Sequence, residues 1–105
     1  MKVLSINLNT YQEEQQFEKF MRIANEIVSR NIDVVIFCEA GQSLMSNYVE
    51  GDIRKDNAVK IICDKANELL GAQVYKFKWE MVHFGFKIYE EGVAIMSKHP
   101  LEKIE

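Results

Sequence analysis

Two polar side chains in this chain sit where packing does not call for them. The first is Glu39, at the end of the run Ile-Asp-Val-Val-Ile-Phe-Cys-Glu-Ala over residues 32–40. Residues 34–38 read as a strand buried on both faces, and Glu39 is followed by the small pair Ala40 and Gly41. An unpaired carboxylate is costly to desolvate, so its place at the tip of a buried strand is best explained by a cation or a substrate held there. A carboxylate that simply meets solvent is the plain alternative. The second is Asn7, near the C-terminal end of a short strand over residues 2–8. Its amide can offer an oxygen to a cation or an NH₂ to a phosphate. An ordinary strand-end asparagine satisfied by a neighbouring turn is the alternative, and Asn9 competes for the same role.

These two residues need elements that bring them together. Thr10 and Glu13 stand in the capping-box relation that opens a helix. Phe17, Phe20, Met21, Ala24, Ile27 and Val28 then recur at spacings of three and four, one apolar stripe on a helix to about Arg30. Asn31 suits a helix stop, and Asp33 opens the next strand. Strands joined by a helical crossover run parallel, and the crossover is right-handed in nearly all cases. Parallel strands place their C-terminal ends on one sheet edge, where open α/β sheets bind ligands. Asn7 and Glu39 therefore arrive at a common edge, although the order alone does not make the two strands neighbours.

Beyond Gly41, residues 42–55 read as a polar loop. Asp56 or Asn57 can cap a second helix whose stripe is Ala58, Val59, Ile62, Ala66, Leu69 and Leu70, and Gly71 suits its left-handed end. Tyr75, Phe77, Trp79 and Met81 alternate with Lys76, Lys78 and Glu80, a half-buried strand whose aromatic side belongs to the core. Residues 83–89 read as an aromatic-rich loop around Gly85. Residues 92–97 form a fourth strand that Pro100 ends, and no later segment closes the sheet. That open edge is expected to make the chain prone to self-association.

The 105 residues allow at most one domain. With 48% hydrophobic and 28% charged residues the chain is globular, and its net charge of −3 with no Lys/Arg cluster predicts no strong nucleic-acid binding by charge alone. Phosphate substrates stay open, because a bound metal supplies positive charge locally. Cys38 and Cys63 lack metal-ligand spacing and read as small buried apolar residues in a reducing compartment. The N-terminus is too short and polar for a signal peptide or a membrane span, so a cytoplasmic location is expected.

Three segments carry a family likeness. The opening Ser5-Ile6-Asn7, the strand ending in Glu39, and residues 90–101, Glu-Glu-Gly-Val-Ala-Ile-Met-Ser-Lys-His-Pro-Leu, occur in order and at suitable separations. Together they resemble the N-terminal half of the endonuclease/exonuclease/phosphatase superfamily of metal-dependent phosphoesterases. The resemblance implies an α/β fold, the N-terminal half of a four-layer α/β sandwich of mixed sheets with helices outside, with the C-terminal half absent from residues 1–105. It also implies that Asn7 lies near the metal and the scissile phosphate. Glu39 would be the principal Mg²⁺ (or Mn²⁺) ligand, and Glu91, or its neighbour Glu90, would lie at the phosphate site. His83 falls in the stretch that precedes the last strand in bacterial members. The family's later Asp-x-Asn and terminal Asp-His motifs do not occur here, and these residues do not name the general base.

Two readings follow. In the first, the complete protein hydrolyses a phosphodiester or phosphomonoester bond, in nucleic acid, a lipid headgroup or a sugar phosphate, while the isolated 105 residues are inactive. In the second, the chain is a non-catalytic α/β binding or regulatory module that kept the scaffold.

Overall fold

A computed structural model of the chain describes residues 1–9, 16–85 and 89–100. The elements are β1 (Val3–Asn7), α1 (Gln16–Ser29), β2 (Val34–Ser43), β3 (Tyr48–Glu50), β4 (Ile53–Arg54), α2 (Ala58–Leu70), β5 (Lys76–Gly85) and β6 (Tyr89–Ser97). The capping-box pair Thr10 and Glu13 lies outside the described residues.

Both helices form where their apolar stripes predict. On α1, Phe20, Ala24 and Ile27 are buried, while Phe17, at the same spacing, is 64% exposed. The helix stops at Asn31, whose φ is 53°, and Ile32 donates its N–H back to Ile27. On α2, the Asn57 side chain accepts from the Val59 and Lys60 amides, which settles the choice between Asp56 and Asn57 for the cap. Gly71 ends the helix at φ 69°, as its position suggested. Leu69 and Leu70 overrun the stripe and are exposed.

The four main strands form one mixed sheet in the order β1-β2-β6-β5. β1 and β2 are parallel neighbours, and β6 is antiparallel to both β2 and β5. This corrects the expected open edge: the strand over residues 92–97 lies inside the sheet, and β1 and β5 are its edges. A parallel β1–β2 pair and the β5–β6 hairpin leave β6 free to fill the place beside β2. Leu8, Phe20, Ala24, Ile27, Val35, Phe37, Val59, Ile62, Ala66, Tyr75, Trp79 and Met96 make the core between the sheet and the helices.

The opposite face is largely uncovered. Along β2, Val35 and Phe37 are fully buried while Ile36 and Cys38 are exposed. The expectation that residues 34–38 are buried on both faces is thus corrected. The two described helices cover one side of the sheet, and alternate residues point away from them. Cys38 is accordingly an exposed thiol, whereas Cys63 is buried as expected.

Two expected loops are partly strand. Residues 42–55 complete β2 and form the short β3–β4 hairpin with its turns. Of residues 83–89, β5 takes in those up to Gly85 and β6 begins at Tyr89, while 86–88 lie outside the described residues. Asn67 pins the start of β5. From within α2 it accepts the Val74 and Tyr75 amides and donates to the Tyr75 carbonyl, standing in for a strand neighbour. Among the described residues no helix is long and apolar enough to cross a membrane.

Candidate functional site

β1 and β2 run in register, with Asn7 opposite Cys38, and the Leu8 amide continues the ladder onto the Cys38 carbonyl at 2.9 Å. Asn7 thus stands beside the residue that precedes Glu39. The shared edge expected from the strand–helix–strand order is present, and the two strands are direct neighbours.

A β-bulge sets the direction of Glu39. Phe37 pairs with Ala94 and Ala40 with Gly92, so Cys38 and Glu39 together face Val93 alone. Strict alternation after the buried Phe37 would send Glu39 toward the helices. With the extra residue, Ala40 takes that buried place, Cys38 is exposed, and Glu39 is partly exposed. Glu39 adopts a left-handed φ of 51°. For a residue with a Cβ this conformation costs about 1–3 kcal/mol and persists only where the surroundings enforce it.

Asn9, also left-handed at φ 50°, donates its amide to Asn7 Oδ1 at 3.1 Å. Asn7 is therefore oriented by the turn that follows it. Its oxygen keeps a second lone pair and its NH₂ two donors.

Glu91 and Glu90 part company. Glu91, 7% exposed, lies opposite Gly41 of β2 and opposite His83 of β5. Asn7 and Glu39 thus share one level of the sheet, and Glu91 and His83 are paired two residues further along the same end. Glu90 joins a polar network on the helix side instead. It pairs with Arg54 Nε at 2.8 Å and accepts from Gln42 Nε2 at 2.9 Å. Burial pushes the Glu90 carboxyl upward, but the hydrogen bonds from Arg54 and Gln42 and the guanidinium charge outweigh it and hold the group below its usual value.

Gln42 is the residue least visible in the sequence, where it opens a polar stretch. It is fully buried and fully bonded, donating to the Asp52 carbonyl and Glu90 and accepting from the Arg54 amide and Asn57 Nδ2. Arg54 also reaches the Leu44 and Ser46 carbonyls and the Tyr48 hydroxyl. The β3–β4 hairpin is thereby tied to the end of β2 and the start of β6. The one sequence signal was the density of Gln, Ser, Arg and Asn between two apolar runs, which a solvated loop shares.

A second tie lies under the bulge. The Trp79 indole donates Nε1–H to the Ala40 carbonyl at 2.9 Å. A Cβ on Gly92 would stand 2.7 Å from Trp79 Cε2 and 2.3 Å from the Glu80 carbonyl oxygen.

The donor set suits a hard cation. Glu39 and Asn7 offer carboxylate and amide oxygens, and Mg²⁺ is commonly held by one or two carboxylates while keeping several waters. Among the described residues no group of three His, Cys, Asp or Glu side chains could hold a metal by itself, so this chain offers a partial set. Asn7, Glu39 and Glu91 do not line the cavity of about 1050 Å³ bordered by Ile53, Lys60, Phe77, Trp79 and Val93; the candidate site is the rim of the sheet.

No protein-family model matches the sequence, and no curated protein matches it significantly. Solved structures do. An endonuclease/exonuclease/phosphatase family protein from Leptotrichia buccalis superposes with a TM-score of 0.87 at 30% identity, over 95% of this chain and 38% of that one. An endonuclease/exonuclease/phosphatase from Beutenbergia cavernae gives a TM-score of 0.49 at 16% identity, over 93% of this chain and 25% of its own. The chain therefore spans 38% of the length of the first of these structures. The resemblance drawn from the three ordered motifs holds in three dimensions: this chain has an α/β fold similar, over 95% of its length, to part of an endonuclease/exonuclease/phosphatase family protein.

Proposed function

We propose that the complete protein hydrolyses a phosphodiester or phosphomonoester bond with Mg²⁺ or Mn²⁺, and that this chain supplies the Asn7 and Glu39 part of the metal–phosphate site. The observation that supports this reading is the left-handed bulge that turns Glu39 outward beside Asn7, in a fold shared with a phosphoesterase-family structure. Strain of this kind gathers at working sites, because ordinary packing selects against it.

The metal, when bound, neutralises phosphate charge and lowers the barrier to attack by water. Glu39 holds it through a carboxylate oxygen. Asn7, oriented by Asn9, adds an amide oxygen to the metal or donates an N–H to a phosphate oxygen. Glu91, set two residues along the rim by its pairing with Gly41, shapes the phosphate side of the site, with His83 as its cross-strand neighbour. The substrate is a phosphate ester in nucleic acid, a lipid headgroup or a sugar phosphate.

In the complete protein, Glu39→Gln keeps the shape and removes the charge. It is expected to lower kcat/KM by about 100-fold or more, since even outer-shell partners of a metal account for about 10–100-fold. Undiminished turnover would refute the assignment. The non-catalytic reading draws on the partial ligand set among the described residues, and calorimetric titration with Mn²⁺ separates the two. A binding scaffold takes up no Mn²⁺, whereas the hydrolase binds it and loses that binding in Glu39→Gln.

A further inference from the structure

The bulge at Cys38 and Glu39 interrupts the ladder between β2 and β6, and a non-glycine residue left in the left-handed region needs something to hold it there. One support comes from two strands away. Trp79 lies on edge strand β5, opposite Ala94, with its ring on the helix side of the sheet. The indole leans along β6 over Gly92 and donates Nε1–H to the carbonyl of Ala40, the residue directly after Glu39. The reach is possible because Gly92 has no side chain: the space its Cβ would take is filled by the Glu80 carbonyl oxygen and the indole edge. Gly92 is also the partner of Ala40 in the ladder. The bulge, the bare position and the indole therefore coincide at one level of the sheet.

We propose that Trp79 is a positioning residue for the rim: its hydrogen bond to the Ala40 carbonyl, made across Gly92, holds the bulge that presents Glu39 outward. This rests on the proposed function only for what Glu39 does once presented. A role as mere core filler is the competing account, and it makes different demands. Core packing needs the aromatic volume of Trp79, whereas positioning needs the N–H as well.

The test uses the complete protein and two variants. Trp79→Phe keeps a ring in the slot and removes the donor; Gly92→Ala keeps the donor but sets a Cβ against both the Glu80 carbonyl oxygen and the indole, and so displaces the ring together with the β5 backbone. Two readouts are taken, the backbone conformation of residues 38–40 by crystallography or NMR, and Mn²⁺ affinity by calorimetry. In both variants Glu39 is expected to leave the left-handed region, and Mn²⁺ affinity to fall by about 10–100-fold, the range for groups that orient a metal ligand. If one variant fails to fold, the other is read by the same two measurements. A folded variant in which Glu39 keeps its left-handed φ overturns the proposal. So does one whose affinity stays within about twofold of a metal-binding parent, well short of that range. A parent protein that takes up no Mn²⁺, with variants in which the bulge relaxes, would remove the proposed function and leave the positioning role standing.

Discussion

Glu90 and Glu91 are adjacent, chemically identical, and held in different surroundings. Glu90 is bound by Arg54 and Gln42, and its carboxyl lies below the usual carboxylate range although burial pushes it up. The folded state therefore favours the ionised form. That stabilisation is fully present above the ordinary glutamate value, about 4.3, and is lost as pH falls through the lowered folded value. Glu90→Gln is expected to flatten the acid limb of a stability–pH profile below about pH 4.3 and to lower the neutral-to-alkaline limb without changing its slope, as followed by thermal melting. Gln42 supports the same network, and Gln42→Ala orphans the buried Asn57 amide among its partners. Each buried group left unsatisfied costs about 1–3 kcal/mol, a loss that urea unfolding would register. The two thiols divide as well. Burial pushes the Cys63 thiol up to about 12, while Cys38 lies exposed on the open face. In native protein a thiol reagent is expected to label Cys38 and spare Cys63, with mass mapping as the check; labelling of both would contradict the core placement.

At the scale of elements, the helices were legible and the second half of the sheet was not. Three-and-four spacing marks a helix face whatever lies opposite, and the caps are local chemistry. Asn57→Ala is expected to destabilise by about 1 kcal/mol, the usual loss for an N-cap. Gly71→Ala is expected to do so by about 1–2 kcal/mol, since φ is 69° there; both are measurable by chemical unfolding. The hairpin of β3 and β4 and the long reach of β5 and β6 carried no such mark. Residues 42–55 are polar because their side chains bond to one another and to β6, a long-range fact that composition cannot distinguish from a solvated loop.

At the scale of the whole molecule, the sheet carries helices on one face and leaves Val3, Ile36 and Val93 on the other, 59%, 42% and 45% exposed. Apolar side chains grouped on one face favour association. The 105-residue chain is expected to self-associate through this face and the edges of β1 and β5, and Ile36→Lys is expected to shift it toward monomer in sedimentation velocity runs. A chain that stays monomeric at high concentration would argue against it.

The sequence by itself determined the two amphipathic helices, the crossover that makes β1 and β2 parallel, and hence the arrival of Asn7 and Glu39 at one edge. These follow from local periodicity and from the handedness of the backbone. Only the tertiary structure decided that β6 lies between β2 and β5, that a bulge turns Glu39 away from the helices, and that Glu90 belongs to a buried network while Glu91 joins the rim. The first is a strand order set by segments far apart in the chain; the other two depend on one residue of register between strands, and a single-residue shift exchanges the two faces of a strand.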